Sequence, residues 1–130
     1  MRARKYVKEL KQLHKEADEC MRQISLIGET QTKLSAENII ATVDDAIDEL
    51  YEDFSSLIAQ ANHMVSNITQ LDEPLEAMVL IYRYHRGYCW EDIAYKLRID
   101  AGQVKKIHGD ALRSLETYLE EFEEEYAEEE

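Results

Sequence analysis

The stretch Trp90-Glu91-Asp92-Ile93-Ala94-Tyr95-Lys96-Leu97-Arg98-Ile99-Asp100-Ala101-Gly102-Gln103-Val104-Lys105-Lys106-Ile107 decides how this chain is read. Ile93, Ala94 and Leu97 recur at the 3-4 spacing of one helix face, so Trp90 to Leu97 is expected as a short helix. Arg98-Ile99-Asp100 then forms a tight turn. Asp100 is placed to cap the helix that follows, because its carboxylate can accept from backbone N–H groups that the first turn leaves unpaired. That helix carries Val104, Ile107, Ala111, Leu112, Leu115, Leu119, Phe122 and Tyr126 on its inner side.

Upstream, Asp72 is the expected cap of another helix, with Pro74 in the first turn, where a missing N–H does no harm. Leu75, Met78, Val79 and Tyr82 follow at helical spacing, and Gly87 is the expected C-cap. A helix, a short helix, a tight turn and a longer helix make a helix-turn-helix layout. The short helix braces the last one so that its first turns can project from the surface. Such a helix fits the DNA major groove, which is about 12 Å wide.

What faces outward there is polar or basic. Gln103, Lys105, Lys106, Gly109 and Asp110 lie off the side marked by Val104, Ile107 and Ala111. A Gln amide can pair with adenine, and Lys105 and Lys106 can reach guanine edges or phosphates. His108 and Arg113 lie nearby on the same helix. Arg83, Arg86, Lys96, Arg98 and Arg113 flank the motif as phosphate-contact candidates. Gly109 in mid-helix costs roughly 1 kcal/mol relative to Ala. Close approach of a phosphate or another backbone would explain it; drift at an exposed position is the alternative.

The run from Leu71 to Leu112 resembles DNA-binding region four of sigma-70-type factors. The shared features are Arg83-Tyr84, Gly87, Trp90-Glu91-Asp92-Ile93-Ala94, Leu97, Val104 and Ala111-Leu112. The Trp-Glu-Asp-Ile-Ala block and Ile107-His108-Gly109 look closer still to the ArpU/RinA-like late-gene transcription regulators of phages and prophages of Gram-positive bacteria. The likeness covers about a third of the chain. It implies a DNA-binding transcription regulator, with RNA polymerase as a further possible partner. Asp110 stands where the sigma pattern has a basic residue, and Ala101 and Gly102 offer no side chain for readout. Nothing resembles the promoter-melting regions of a full sigma factor, so an accessory regulator is expected.

The first 70 residues read differently. Tyr6, Leu10, Leu13, Ala17, Cys20, Ile24 and Ile27 are spaced 4-3-4-3-4-3, a heptad seam in a helix from about Ala3 to Ile27. Gly28 is the expected C-cap and Glu29 to Leu34 a polar turn. Ser35 is the expected N-cap of a second helix. Its seam is Ile40, Val43, Ile47, Leu50, Phe54, Leu57, Ala61, Met64, Ile68 and Leu71, widened by Ile39, Tyr51, Ile58 and Val65. Two such helices make an antiparallel, coiled-coil-like hairpin. The wider stripe of the second leaves apolar surface for another subunit, so a homodimer is expected.

Composition bounds the function. The 130 residues carry a formal net charge of −13, so any DNA contact must come from a local basic face. Residues 1–15 hold six basic groups against one acidic, and residues 114–130 hold nine Glu and no basic group. Residues 72–113 are balanced, seven against seven. The longest apolar run, Ala77 to Tyr82, is six residues, against the roughly 20 a membrane span needs. Neither a secretory signal nor a membrane partner is expected, and the cytoplasm is the default location. Cys20 and Cys89 are expected as free thiols. His85 and Cys89 stand four apart, but zinc needs about four ligands and no second pair follows. No nucleophile, phosphate-loop or metalloprotease motif occurs, so neither an enzyme nor a cofactor is expected. Trp90 reads as core, and Tyr84, Tyr88 and Tyr95 as half-buried rings rather than base-stacking platforms.

The expectation is therefore an all-α protein: a helical hairpin for oligomerisation over residues 1–70, then a helix-turn-helix domain with an extended acidic C-terminal helix over residues 71–130. It would bind double-stranded DNA in a sequence-specific way and regulate transcription. The alternatives are a protein-interaction module, binding polymerase or a regulator, and a small terminase-like phage packaging subunit. The opposite charges of residues 1–15 and 114–130 also suggest that the two ends dock together.

Overall fold

A computed structural model describes residues 1–31 and 37–122, with side chains for 1–29 and 44–122. The described residues are all-α. Their elements are α1 (Arg2–Gln31), α2 (Glu37–Ile68), α3 (Pro74–Leu80) with a π turn continuing it (Ile81–His85), α4 (Trp90–Leu97) and α5 (Ala101–Phe122). The turn expected over residues 29–34 is helical at 29–31; the rest of it, the Ser35 cap, the side chains of Ile39, Ile40 and Val43, and Tyr126 lie outside what is described.

Two compact units are present, one formed by residues 1–11 with 63 onward and one by residues 12–62. The division thus does not fall at 70/71. The reason lies in the first turns of α1, where Ala3, Tyr6, Val7 and Leu10 are all buried. The Tyr6 hydroxyl donates to the Met64 carbonyl at 3.2 Å and accepts from Asn67 Nδ2 at 3.1 Å. The Tyr118 hydroxyl in turn donates to Asn67 Oδ1 at 3.5 Å, so Asn67 links α1, α2 and α5. These contacts hold the first turns of α1 against the last turns of α2.

The second unit pairs the remainder of α1 with most of α2. Ala17, Ile24 and Ala61 are its buried apolar side chains among the described residues. Leu13, Cys20, Ile27, Leu50, Phe54, Leu57 and Ile58 are only partly covered, and Tyr51 is exposed. Gly28 corrects the sequence reading: α1 continues through it to Gln31. A glycine ends a helix when it adopts positive φ, and Gly28 does not.

In the first unit, α3 begins with Pro74 at its start as expected, but Glu73 rather than Asp72 holds the cap position. Proline forces the residue before it out of the helical region, and Glu73 is extended (φ −96°, ψ 108°) with no side-chain cap bond. Ala77, Val79 and Leu80 face inward, while Leu75 and Met78 are exposed. The helix then widens by one residue: Arg86 N–H donates to the Ile81 carbonyl at 3.0 Å, an i to i−5 bond. Gly87 follows at φ +75°, where a side chain would be strained, and the chain turns.

The sequence reading of α4 holds for its bounds and inner face, but Tyr95, expected half-buried, is 84% exposed. Ile93 and Ala94 are buried and join Val79 and Val104 in one core cluster, with Tyr82, Trp90, Leu97 and Ile107 packed around it. Burying a side chain such as Ile93 contributes about 1.5–3 kcal/mol. On α5, Val104, Ala111, Leu112, Leu115 and Leu119 are buried as expected, and Phe122 is exposed.

Candidate nucleic-acid interface

The turn between α4 and α5 is built by local chemistry. Arg98 adopts the left-handed conformation, φ 59° and ψ 43°. Arg98 N–H donates to the Tyr95 carbonyl at 3.3 Å and Ile99 N–H to the Ala94 carbonyl at 3.1 Å. This is a Schellman ending, closed by apolar contact of Ile99 with the cluster that holds Ala94. Asp100 then starts α5 as expected. Its Oδ1 accepts from Gln103 N–H at 2.8 Å, and Gln103 Oε1 reaches back to Asp100 N–H at 3.4 Å, a reciprocal capping box. A Cβ on Gly102 would lie 3.2 Å from that same Oδ1, so the absence of a side chain there leaves room for the cap.

Lys105 and Lys106 are exposed on α5, between buried Val104 and partly buried Ile107. Gln103 is also exposed, with its amide oxygen turned to the cap. Arg113 is exposed and paired with Asp110, one turn before it. Arg86, Lys96 and Arg98 are exposed around the α3–α4–α5 junction, and Lys96 Nζ sits 5.2 Å from the centre of the Tyr88 ring. Gly109 has nothing within 4 Å of where its Cβ would be.

Arg83 and His108 occupy a different setting. The Arg83 guanidinium lies 4.3 Å over the Trp90 ring and donates to the Tyr88 carbonyl at 3.1 Å, which ties the π turn to the start of α4. His108 turns toward the core side of α5. Its Nε2 is 2.7 Å from the Tyr84 hydroxyl, and its ring meets the Trp90 ring edge-on at 4.9 Å. Burial holds the His108 imidazole below the usual 6.5, and the charges of Arg4 and Arg83 push the same way. Burial also raises the Tyr84 phenol above 10.0, against the pull of Arg83 and Arg4. Both residues brace α5 rather than line its outer face.

The chain matches no family model, no curated protein and no solved structure.

Exposed cations stand on α5 itself, at Lys105 and Lys106, and on the segments that lead into it, at Arg86, Lys96 and Arg98. Two carboxylates of α5 and its cap are engaged internally, Asp100 in the cap and Asp110 with Arg113, and farther along the helix Glu116 accepts from the Ala3 N–H at 2.6 Å. The far end of α5 has the opposite character. There Asp72, Glu73, Glu76 and Glu121 line a groove with Thr117, Tyr118 and Phe122. The described residues hold no group of three or more His, Cys, Asp or Glu able to bind a metal. No described helix is long and apolar enough to cross a membrane.

Arg4 is the neighbour that sequence reasoning missed. Its basic stretch was visible, but which element it would stand beside depends on the apolar side of α1 packing against α2 and α5.

Proposed function

We propose that the chain is a sequence-specific double-stranded DNA-binding protein that regulates transcription, with α5 entering the major groove. The observation that carries this reading is the start of α5. A Schellman turn and a capping box fix its first turn, and Lys105 and Lys106 stand exposed on the next. Arg86, Lys96 and Arg98, all exposed, would hold phosphates, while Arg83 and His108 support the fold. Gln103 reads a base only after giving up its weak 3.4 Å bond to Asp100. The phage-regulator likeness of Trp90 to Gly109 fits this role.

The working form is a homodimer. A two-helix hairpin that leaves Leu50, Phe54 and Leu57 partly covered gains by setting them against the same stripe of a second copy. Two copies also double the base contacts, as paired half-sites require.

The test is selection from a random duplex pool. Enrichment of one short motif, repeated at a fixed spacing, is the expected result. A pool that emerges unenriched contradicts it. The acidic groove at the far end of α5 favours a second reading, a protein-interaction module, which predicts that outcome together with capture of RNA polymerase.

A further inference from the structure

The first turns of α1 carry more positive charge than their packing needs. Ala3, Tyr6, Val7 and Leu10 fill the inner face, which leaves Arg4 and Lys8 exposed, one helical turn apart on one side. The Ala3 N–H donates to Glu116 Oε2 at 2.6 Å, so this end of α1 is held directly against α5. That bond also engages the Glu116 carboxylate. Among the described residues, neither Arg4 nor Lys8 forms a salt bridge.

Arg4 lies close enough to Tyr84 and His108 for its charge to act on both groups. Lys105 is one turn before His108 on α5, so Arg4 and Lys105 flank the same part of that helix. A cation pair beside a groove-entering helix stands where the sugar-phosphate strands bordering that groove would run.

We infer that Arg4 and Lys8 form a second DNA-contacting element, in which the first turns of α1 grip the phosphate strand alongside α5. This rests on the DNA reading of α5 and extends it: α5 reads bases, and α1 adds sequence-independent affinity. Phosphate neutralisation by each residue releases counterions, so each contact adds about 0.9 to the slope of log K against log salt concentration.

The experiment measures that slope for the full-length wild type and Arg4→Ala/Lys8→Ala on the enriched duplex. A matched control, Lys15→Ala/Arg22→Ala, removes the same charge from the second unit. The expected result is a slope shallower by about 1.8 for Arg4→Ala/Lys8→Ala. Its preferred sequence and melting temperature should be unchanged, and the control should keep the wild-type slope. An unchanged slope overturns the inference while leaving α5 as the reader. Equal flattening in the control also overturns it, because overall charge would then be the cause. Absence of any duplex binding by the wild type removes the DNA reading and this element with it.

Discussion

His108 Nε2 and the Tyr84 hydroxyl lie 2.7 Å apart and join α5 to the π turn that follows α3. The proton on His108 is disfavoured there by burial first, then by Arg4 and Arg83. The unfolded chain takes that proton near pH 6.5, whereas the folded chain resists it. His108 therefore contributes stability that is fully present above pH 6.5 and lost as the pH falls below it, until the folded-state midpoint is passed. NMR titration of the imidazole should give a midpoint below 6.5 that moves upward in Arg4→Ala. In His108→Gln, that part of the fall in melting temperature on acidification should vanish. A wild-type midpoint at or above 6.5 contradicts this account.

Gly28 and Gly87 should respond in opposite directions. Gly28 lies within α1, lacks positive φ and has nothing within 4 Å of where its Cβ would be, so Gly28→Ala should stabilise by about 1 kcal/mol. Gly87 has φ +75°, so Gly87→Ala should destabilise by about 1 kcal/mol or more. Urea unfolding measures both. Destabilisation by Gly28→Ala would mean that α1 ends at that residue.

The α4–α5 turn separates stability from binding. Asp100→Ala removes the carboxylate that caps α5 and should cost about 1 kcal/mol. Arg98 holds φ 59°, which glycine adopts without strain, so Arg98→Gly should leave the melting temperature unchanged or raise it. The same variant should weaken DNA binding, since it deletes an exposed cation beside α5. A clear loss of stability in Arg98→Gly would show that the side chain itself holds the turn.

Self-association should depend on the stripe of α2 that its own hairpin leaves partly covered. Phe54→Lys places a charge in that stripe, and sedimentation should show a dimer for the wild type and a monomer for the variant. A wild-type monomer contradicts the dimer, and a ring of many copies points to the packaging alternative.

Sequence pattern was most informative where local chemistry decides the backbone. The helix Trp90–Leu97, the cap at Asp100 and the stop at Gly87 depend on neighbours a few residues away, and all three were legible. Gly28 misled because a glycine signals a stop only when φ turns positive, which composition does not reveal. Asp72 misled because Pro74 sets the cap position by sterics, whatever side chain stands two residues before it. At the candidate site, the exposed lysines followed from helical periodicity. The inward turn of His108 did not, because it depends on Tyr84 and Trp90 arriving from other elements. Arg4 was hidden for the same reason, since its neighbourhood is set by α1 packing across more than a hundred residues of chain.

The most direct test of the account is fluorescence anisotropy with a selected duplex at two salt concentrations, comparing wild type with Lys105→Glu/Lys106→Glu. The account predicts sequence-selective binding that weakens as salt rises and is lost in the double variant, whose fold is unchanged by circular dichroism. Wild-type binding no tighter than to a scrambled duplex at low salt, or equal binding by the variant, would contradict it.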